Sequence, residues 1–353
     1  MVNNFQNDAQ NNNQEKKRPD WYYGTAKYAT PSLPKAVFQL FDTFIPYFAL
    51  WAVMIFFILR GFPYWITLLL SVVAAGLLVR IFILFHDCCH HSFFASRLAN
   101  KICGHICGVF TCTPYSDWQW THSRHHATAA DLDRRGFGSV WTMTVSEYLA
   151  APWFTRLRYR IFRNPFIMFG IGSLIMFLFV NRFPTKGVGS RQRISVLVTN
   201  IAIVILFLAA GFFLGFWSFI KIATPIIIIA STTGVWLFYI QHQFEGVYWA
   251  RHDEWDIMTA SLKGCSYYKL PNVLHWFTAN IGIHHVHHLR TAIPNYNLQK
   301  CYNETPQVQD INQLTIRKSL KSLHLNLWDE QSKKLVSFRS IRKLTRQTAR
   351  LAL

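Results

Sequence analysis

The chain has 353 residues, 51% of them hydrophobic and 16% aromatic, with a mean hydropathy of +0.15. That is more apolar than a soluble domain needs, and the apolar residues fall in blocks, which excludes an ordinary soluble fold and indicates a polytopic membrane protein. The net charge of +19 would suit a nucleic-acid binder, but no nucleic-acid motif accompanies it.

In chain order, residues 1–34 read as a disordered polar and basic tail; the first twenty are Asn/Gln-rich and lack the apolar core of a cleavable signal peptide. Nearly charge-free stretches then run from Thr43 to Leu59, from Tyr64 to Phe85 with only Arg80 inside, from Ile194 to Ile220 and from Ile222 to Phe244. At about 20 residues per crossing these predict four transmembrane helices in two hairpins. The first turns at Gly61, Phe62 and Pro63, and the second between Gly215 and Lys221. Residues 102–113 are too short to span, and residues 165–180 carry Arg160 and Arg163 on one side and Arg182 and Lys186 on the other. Both predict interfacial or re-entrant helices, with six crossings as the alternative. The expected fold is thus an all-α polytopic protein with a helical cap, a main domain over residues 35–338 and a basic C-terminal tail over 339–353 that includes Arg342, Lys343 and Arg346.

Of the 36 Lys and Arg residues, only Arg60 and Lys221 fall at the hairpin turns and Arg80 inside a helix; the rest lie in the N-terminal tail, in residues 86–193 and after residue 242. The positive-inside rule makes those three regions cytoplasmic, in a multi-pass protein of the cell (inner) membrane. A basic face there suits anionic lipid headgroups and an acidic redox partner.

Three histidine clusters occupy this face: His86-Asp87-Cys88-Cys89-His90-His91, His122-Ser123-Arg124-His125-His126 and His284-His285-Val286-His287-His288. Residues three and four apart share a helix face, so each cluster can present chelating imidazoles. Packed imidazoles repel when protonated and cannot all find neutral partners in an apolar layer, which points to metal. His105, His252, His275 and His324 stand alone and read as structural. His86 ends the second apolar helix and His242 the fourth, so two helix ends deliver histidines to one level. His86 and His90, then His122, His125 and His126, His242, and His284, His287 and His288 make nine ligands, too many for one zinc and suited to two redox-active irons with positions open for dioxygen. The seven cysteines read as reduced thiols; Cys103, Cys107 and Cys112 match no zinc or iron–sulfur spacing, and a ligand role for Cys88 and Cys89 is the less favoured reading.

The three boxes, in this order and at these intervals, resemble those of the membrane-bound fatty acid desaturases. The resemblance extends through Trp118-Gln119-Trp120, Arg163-Asn164-Pro165-Phe166, Trp236 to Glu245, Ser266-Tyr267-Tyr268-Lys269-Leu270-Pro271, Trp276-Phe277-Thr278, Asn280-Ile281-Gly282-Ile283-His284 and Ile293-Pro294-Asn295-Tyr296. It covers about Pro34 to Phe338, and is strongest to bacterial acyl-lipid desaturases, the delta-5 type of bacilli and then the cyanobacterial delta-12 type. Gly246 departs from the pattern, which usually has an acidic residue after the Phe-Glu pair.

The resemblance implies a di-iron site on the nine histidines, with His91 and His285 as additional box positions. It also implies an oxidoreductase that reduces dioxygen to water while placing a cis double bond in an acyl chain of a membrane phospholipid or glycolipid. Asp87, Asp131, Asp133, Glu245 and Asn280 are the expected partners that orient the imidazoles, and Trp118, Trp120, Tyr267, Tyr268, Trp276 and Phe277 the expected walls of an acyl tunnel. The chain carries neither a haem nor a nucleotide-binding motif, so an external donor, ferredoxin or flavodoxin, is expected. A fatty acid hydroxylase or alkane oxygenase with the same ligands is the alternative, and a metal transporter a remote one, since its ligands belong near the bilayer midplane.

Overall fold

A computed structural model of the chain describes residues 18–136 and 138–341. Helix α1 (Leu33–Leu59) follows Ser32 in extended backbone, with Pro34 in its first turn, where the missing N–H removes no hydrogen bond. Its 27 residues reach about 40 Å, enough for the ~30 Å hydrocarbon core. The chain reverses at Gly61, whose φ of +71° favours glycine, and enters α2 (Tyr64–Cys89) after Pro63. Two shorter helices follow, α3 (Arg97–Phe110) and α4 (Tyr115–Thr128). Helix α5 (Trp153–Phe162) leads through a π-turn at Phe166–Ile171 into α6 (Gly172–Leu178). The second hairpin comprises α7 (Ser190–Leu214) and α8 (Phe216–His242), joined by the single residue Gly215 at φ +80°. Lys221 is therefore inside α8 rather than in the turn.

The four long helices have the length and hydropathy to cross a membrane, so the hydropathy blocks and the first turn were legible, while the second turn is confined to Gly215. They are not equivalent. The most apolar window of α2 is 61% buried inside the protein and that of α7 only 11%, so α2 is the centre of the bundle and α7 its rim. Leu208, Phe212 and Phe213 of α7 are 63%, 84% and 80% exposed, an apolar surface that a bilayer covers and water would not tolerate.

Residues 102–113 fall mostly within α3, whose 14 residues are too short to span and bury Asn100, Cys103 and Cys107 against the bundle. The segment 165–180 bends: Trp153–Phe162 and Phe166–Arg182 meet at 64°. Among the described residues four helices are long and apolar enough to cross a membrane, or five if that bent pair makes one span, against the alternative of six.

The histidine-bearing helix ends are covered by a cap. It contains α9 (Asn272–Phe277), α10 (His284–Leu289), α11 (Asn295–Glu304) and two small sheets. In one, β1 (Tyr267–Tyr268) pairs in parallel with β2 (Gln313–Leu314); in the other, β3 (Leu327–Asp329) pairs antiparallel with β4 (Lys334–Val336). Residues 20–32, within the 1–34 expected to be disordered, pack on this cap. Tyr22 and Tyr28 are buried beside Leu289, Leu298 and Cys301, and the Tyr28 hydroxyl donates to Glu304 at 2.7 Å. Apolar contacts with residues far along the chain fold what local composition marks as a tail. At the other end Ile341 is buried with Phe338; the basic residues Arg342, Lys343 and Arg346 lie outside the described residues. All seven cysteines are free, as their pattern predicted.

Candidate metal centre

Four helices deliver the histidines: the end of α2, all of α4, the end of α8 and α10. Nine ring nitrogens gather into two groups, each with all its donor atoms within 4.8 Å of one another. One group holds His86, His90, His122, His126 and His287, the other His125, His242, His284 and His288. Every box that supplies a pair at i and i+4 keeps that pair together: 86 with 90, 122 with 126, 284 with 288. The i+3 residue, His125 or His287, crosses to the other group. Sequence spacing predicted a chelating face for each box; the structure divides the second and third boxes, each with three candidate ligands, between two groups. The groups abut, with the rings of His126 and His288 centred 3.9 Å apart.

The donor set fits metal better than it fits hydrogen bonding. His242 Nε2 lies 3.0 Å from His125 Nε2 and 3.1 Å from His284 Nε2. His126 Nε2 lies 3.0 Å from His122 Nε2 and 3.1 Å from His287 Nε2. A ring nitrogen has one lone pair or one N–H and cannot satisfy two such neighbours. The Nε2 atoms of His86, His90 and His288 are buried with no partner at all, each at a cost of about 1–3 kcal/mol unless something binds there. A cation shared by each group would resolve all of these contacts. Burial, reinforced by neighbouring imidazoles, holds His122, His125, His126, His284, His287 and His288 well below the ordinary histidine pKa. They are neutral at pH 7 and keep their lone pairs free for a metal.

Asp87 is the carboxylate that orients a ring. Its Oδ1 is 3.3 Å from His86 Nδ1, and its Oδ2 accepts from the backbone N and the Nδ2 of Asn295 at 2.6 and 2.9 Å. Asn295 Oδ1 in turn accepts from Gln39 at 2.8 Å. Sequence reasoning did not single out Asn295 or Gln39; only the place of Asn295 in the quoted Ile293–Tyr296 motif hinted at the former. Asn280 reaches the Asn295 carbonyl at 3.4 Å, not a ring.

The other three nominated carboxylates are elsewhere. Asp131 is fully buried but holds Arg134 Nε at 2.7 Å and His252 Nδ1 at 2.9 Å, fastening the loop after α4. Asp133 accepts from Arg251 at 2.6 Å. Glu245 is 75% exposed and faces Lys321 at 3.7 Å. They lie where the chain has left the long helices, and their partners are nearby arginine, lysine and histidine side chains rather than the clustered imidazoles. His91 is exposed beside Gln119. His285 points away from both groups: its Nε2 donates to the Val308 carbonyl at 2.9 Å, and burial lowers its pKa to about 3. Of the isolated histidines, none joins a group.

An apolar cavity ends at these rings. Its walls are one stripe of α2 (Leu78, Val79, Phe82, Ile83), one stripe of α8 (Ile227 to Gln241), and Phe177 and Leu178 of α6; His86, His122 and His284 close one end. Of the six nominated tunnel residues, Trp118 alone lines it, stacked on His122 with ring centres 4.2 Å apart. The other five are placed differently. Trp120 lies under the Arg124 guanidinium, Tyr267 packs on Tyr302, and the Tyr268 hydroxyl meets Ser319. Trp276 donates to Asp42 and sits under Arg80, and Phe277 presses on Gly76. Trp276 and Phe277 pack on a stripe of α2, Gly76 and Arg80, that does not face the cavity.

Convergent and screened from water at the end of an apolar cavity, this donor set could hold metal in an oxidoreductase built on four membrane-length helices. A sequence profile of the fatty acid desaturase family matches residues 60–318, and the chain belongs to that family. It is 46% identical to a fatty acid desaturase of Bacillus subtilis (strain 168), over 90% of both chains. It is 28% identical to the sn-1 oleoyl-lipid 12-desaturase of Synechocystis sp. over 63% of both chains. With the sn-1 acyl-lipid omega-3 desaturase (ferredoxin) of Nostoc sp. (strain 36), it shares 23% identity over 85% of this chain and 82% of the other.

Proposed function

We propose that this desaturase holds two irons, one in each imidazole group, and acts on acyl chains of membrane lipids. The observation that carries the reading is the meeting of nine convergent imidazoles with an apolar cavity running between two membrane-length helices. Bound there, the iron pair would supply the activation of dioxygen that breaking an unactivated C–H bond requires.

The protein's own contribution is placement. Leu78, Phe82 and Phe238 wall in a saturated chain and exclude water, and Trp118 keeps the His122 ring in its orientation. Asp87, held by Asn295, accepts the His86 Nδ1 proton and so turns its Nε2 towards the centre. Two neighbouring methylenes each lose a hydrogen and dioxygen leaves as two waters, a balance that needs two further electrons and two protons. The electrons come from a separate donor. An acidic carrier such as ferredoxin or flavodoxin suits the basic histidine-bearing side, which the charge distribution assigns to the cytoplasm of a multi-pass inner-membrane protein. The name of the Nostoc relative includes ferredoxin. The histidines sit at helix ends rather than at the bilayer midplane, the position a transporter would use.

The test is expression in a bacterium lacking desaturases, with double bonds located by mass spectrometry of dimethyl disulfide adducts and His122→Ala as control. A new cis bond, lost in the control, is expected. Hydroxylated chains would move the protein to the hydroxylase reading, and a purified protein without iron would overturn the di-iron centre.

A further inference from the structure

Helices α2 and α8 run side by side in the same direction: the Tyr64 hydroxyl at the start of one donates to the Lys221 carbonyl near the start of the other, 2.8 Å away, and His86 and His242 end both at the metal centre. The cavity-facing stripe of α8 is Ile227, Ala230, Ser231, Gly234, Leu237, Phe238 and Gln241, the 3–4 spacing of one helix face. Bulky residues stand at both ends of that stripe, and one turn in its middle is small.

Gly234 has no packing reason to be glycine. A Cβ at Gly76 would lie 2.7 Å from the Phe277 ring and one at Gly108 2.4 Å from the Thr113 carbonyl, whereas a Cβ at Gly234 meets nothing within 4 Å. Its φ lies outside the left-handed region too, so the backbone does not demand it. Glycine inside a helix costs about 1 kcal/mol relative to alanine, and here the one structural return is open space in the cavity. Ser231 keeps the wall apolar, because its hydroxyl bonds to the Ile228 carbonyl at 3.2 Å. Leu78 stands eight residues before His86 and Gly234 eight before His242, which puts both at the same depth, about 12 Å from the histidine ends at 1.5 Å per residue.

The geometry points to Gly234 as a specificity-determining residue: the gap it leaves opposite Leu78, widened by Ala230 and Ser231, admits the part of the acyl chain beyond the reacting carbons and sets the chain length the enzyme takes. This rests on the cavity's being the acyl-chain site, as proposed above. A side chain at position 234 shortens the space without touching a metal ligand.

The experiment uses the full chain in the desaturase-deficient host, whose lipids carry acyl chains of graded length, and reads the ratio of long-chain to short-chain unsaturated product. Gly234→Leu should lower that ratio at least about tenfold, the scale on which a pocket discriminates methylenes, at wild-type iron content and thermal stability. Adding Leu78→Ala should restore it. A Gly234→Leu enzyme with normal iron and an unchanged ratio overturns the assignment, as does a ratio that Leu78→Ala fails to rescue. If Gly234→Leu does not accumulate, Gly234→Val and Ser231→Leu are read in the same way. A wild-type protein that forms no double bond at all overturns the proposed function, and this assignment with it.

Discussion

In the five-histidine group, Asp87 ties His86 to Asn295 and, through it, to Gln39 on α1; in the four-histidine group no carboxylate touches a ring among the described residues, and His242 is held instead by a backbone hydrogen bond to Gly264, with the Cys265 thiol 3.8 Å from its Nδ1. α4 and α10 supply rings to both groups, α2 only to the first and α8 only to the second, and every candidate ligand is an imidazole, so the contrast lies in support and number rather than in ligand type. One group can lose a nitrogen and keep four; the other falls to three. Equal chemistry with unequal redundancy means the two centres should fail differently.

The largest effects test the ligands themselves. His122→Ala and His287→Ala should abolish product while the protein still reaches the membrane, and unchanged double-bond formation would sink the ligand set. His90→Ala and His288→Ala sharpen the comparison, since they remove one ring from the larger and one from the smaller group. Iron measured per protein after dialysis should fall further in His288→Ala. The reverse order would show that support, not ligand number, governs retention.

Next comes Asp87→Asn. It leaves the imidazoles in place but sets an amide against the two Asn295 donors, and partners of this kind are worth about 10–100-fold in metal affinity. Iron should be lost to a chelator faster than from wild type, from the five-histidine group first. Equal release rates would reduce Asp87 to a packing role.

Much of this was legible in sequence because it depends on local pattern. Hydropathy blocks bounded by Gly61, Pro63 and Gly215 mark the hairpins, and histidines three and four apart mark the boxes. His242 was found by its place at the end of α8, opposite His86. What sequence hid is long-range. Asn295 meets Asp87 across 208 residues, and Tyr22 and Tyr28 fold a polar-looking segment onto α10 and α11. The cavity walls were missed for a different reason. Interface aromatics such as Trp276 were nominated for their chemistry, whereas the walls are aliphatic and small residues that resemble ordinary helix packing until the space beside them is seen.

Acid should act on both groups together. The seven imidazoles of α4 and α10 have pKa values pushed down in the folded protein, while in the unfolded chain they titrate near 6.5. Above about pH 7 both states are neutral and stability is flat. Below about 6.5 the unfolded chain binds protons that the fold refuses, so stability of the metal-free protein drops until the folded values are reached. Thermal unfolding of iron-free protein at pH 5.5 and 7.5 should show the fall, and replacing His125 and His126 by Gln should flatten it. A wild-type curve independent of pH would contradict the buried neutral state.

The smallest effects come from carboxylates that sequence grouped with Asp87 and the structure sets apart. Glu245 is a surface partner of Lys321, and such a pair is worth about 0–1 kcal/mol. Glu245→Ala should therefore change neither iron content nor melting. Asp131 differs from it in burial: its two oxygens satisfy Arg134, His252 and the Asp133 backbone N, so Asp131→Asn should cost about 1–3 kcal/mol through donors left without an acceptor. That loss should appear in thermal unfolding while iron per folded protein stays at the wild-type level, because none of those donors belongs to a metal group. If Asp131→Asn instead released iron as Asp87→Asn does, the loop after α4 would be part of the centre's support, and the contrast between a group with a carboxylate tether and one without would have to be redrawn around both carboxylates.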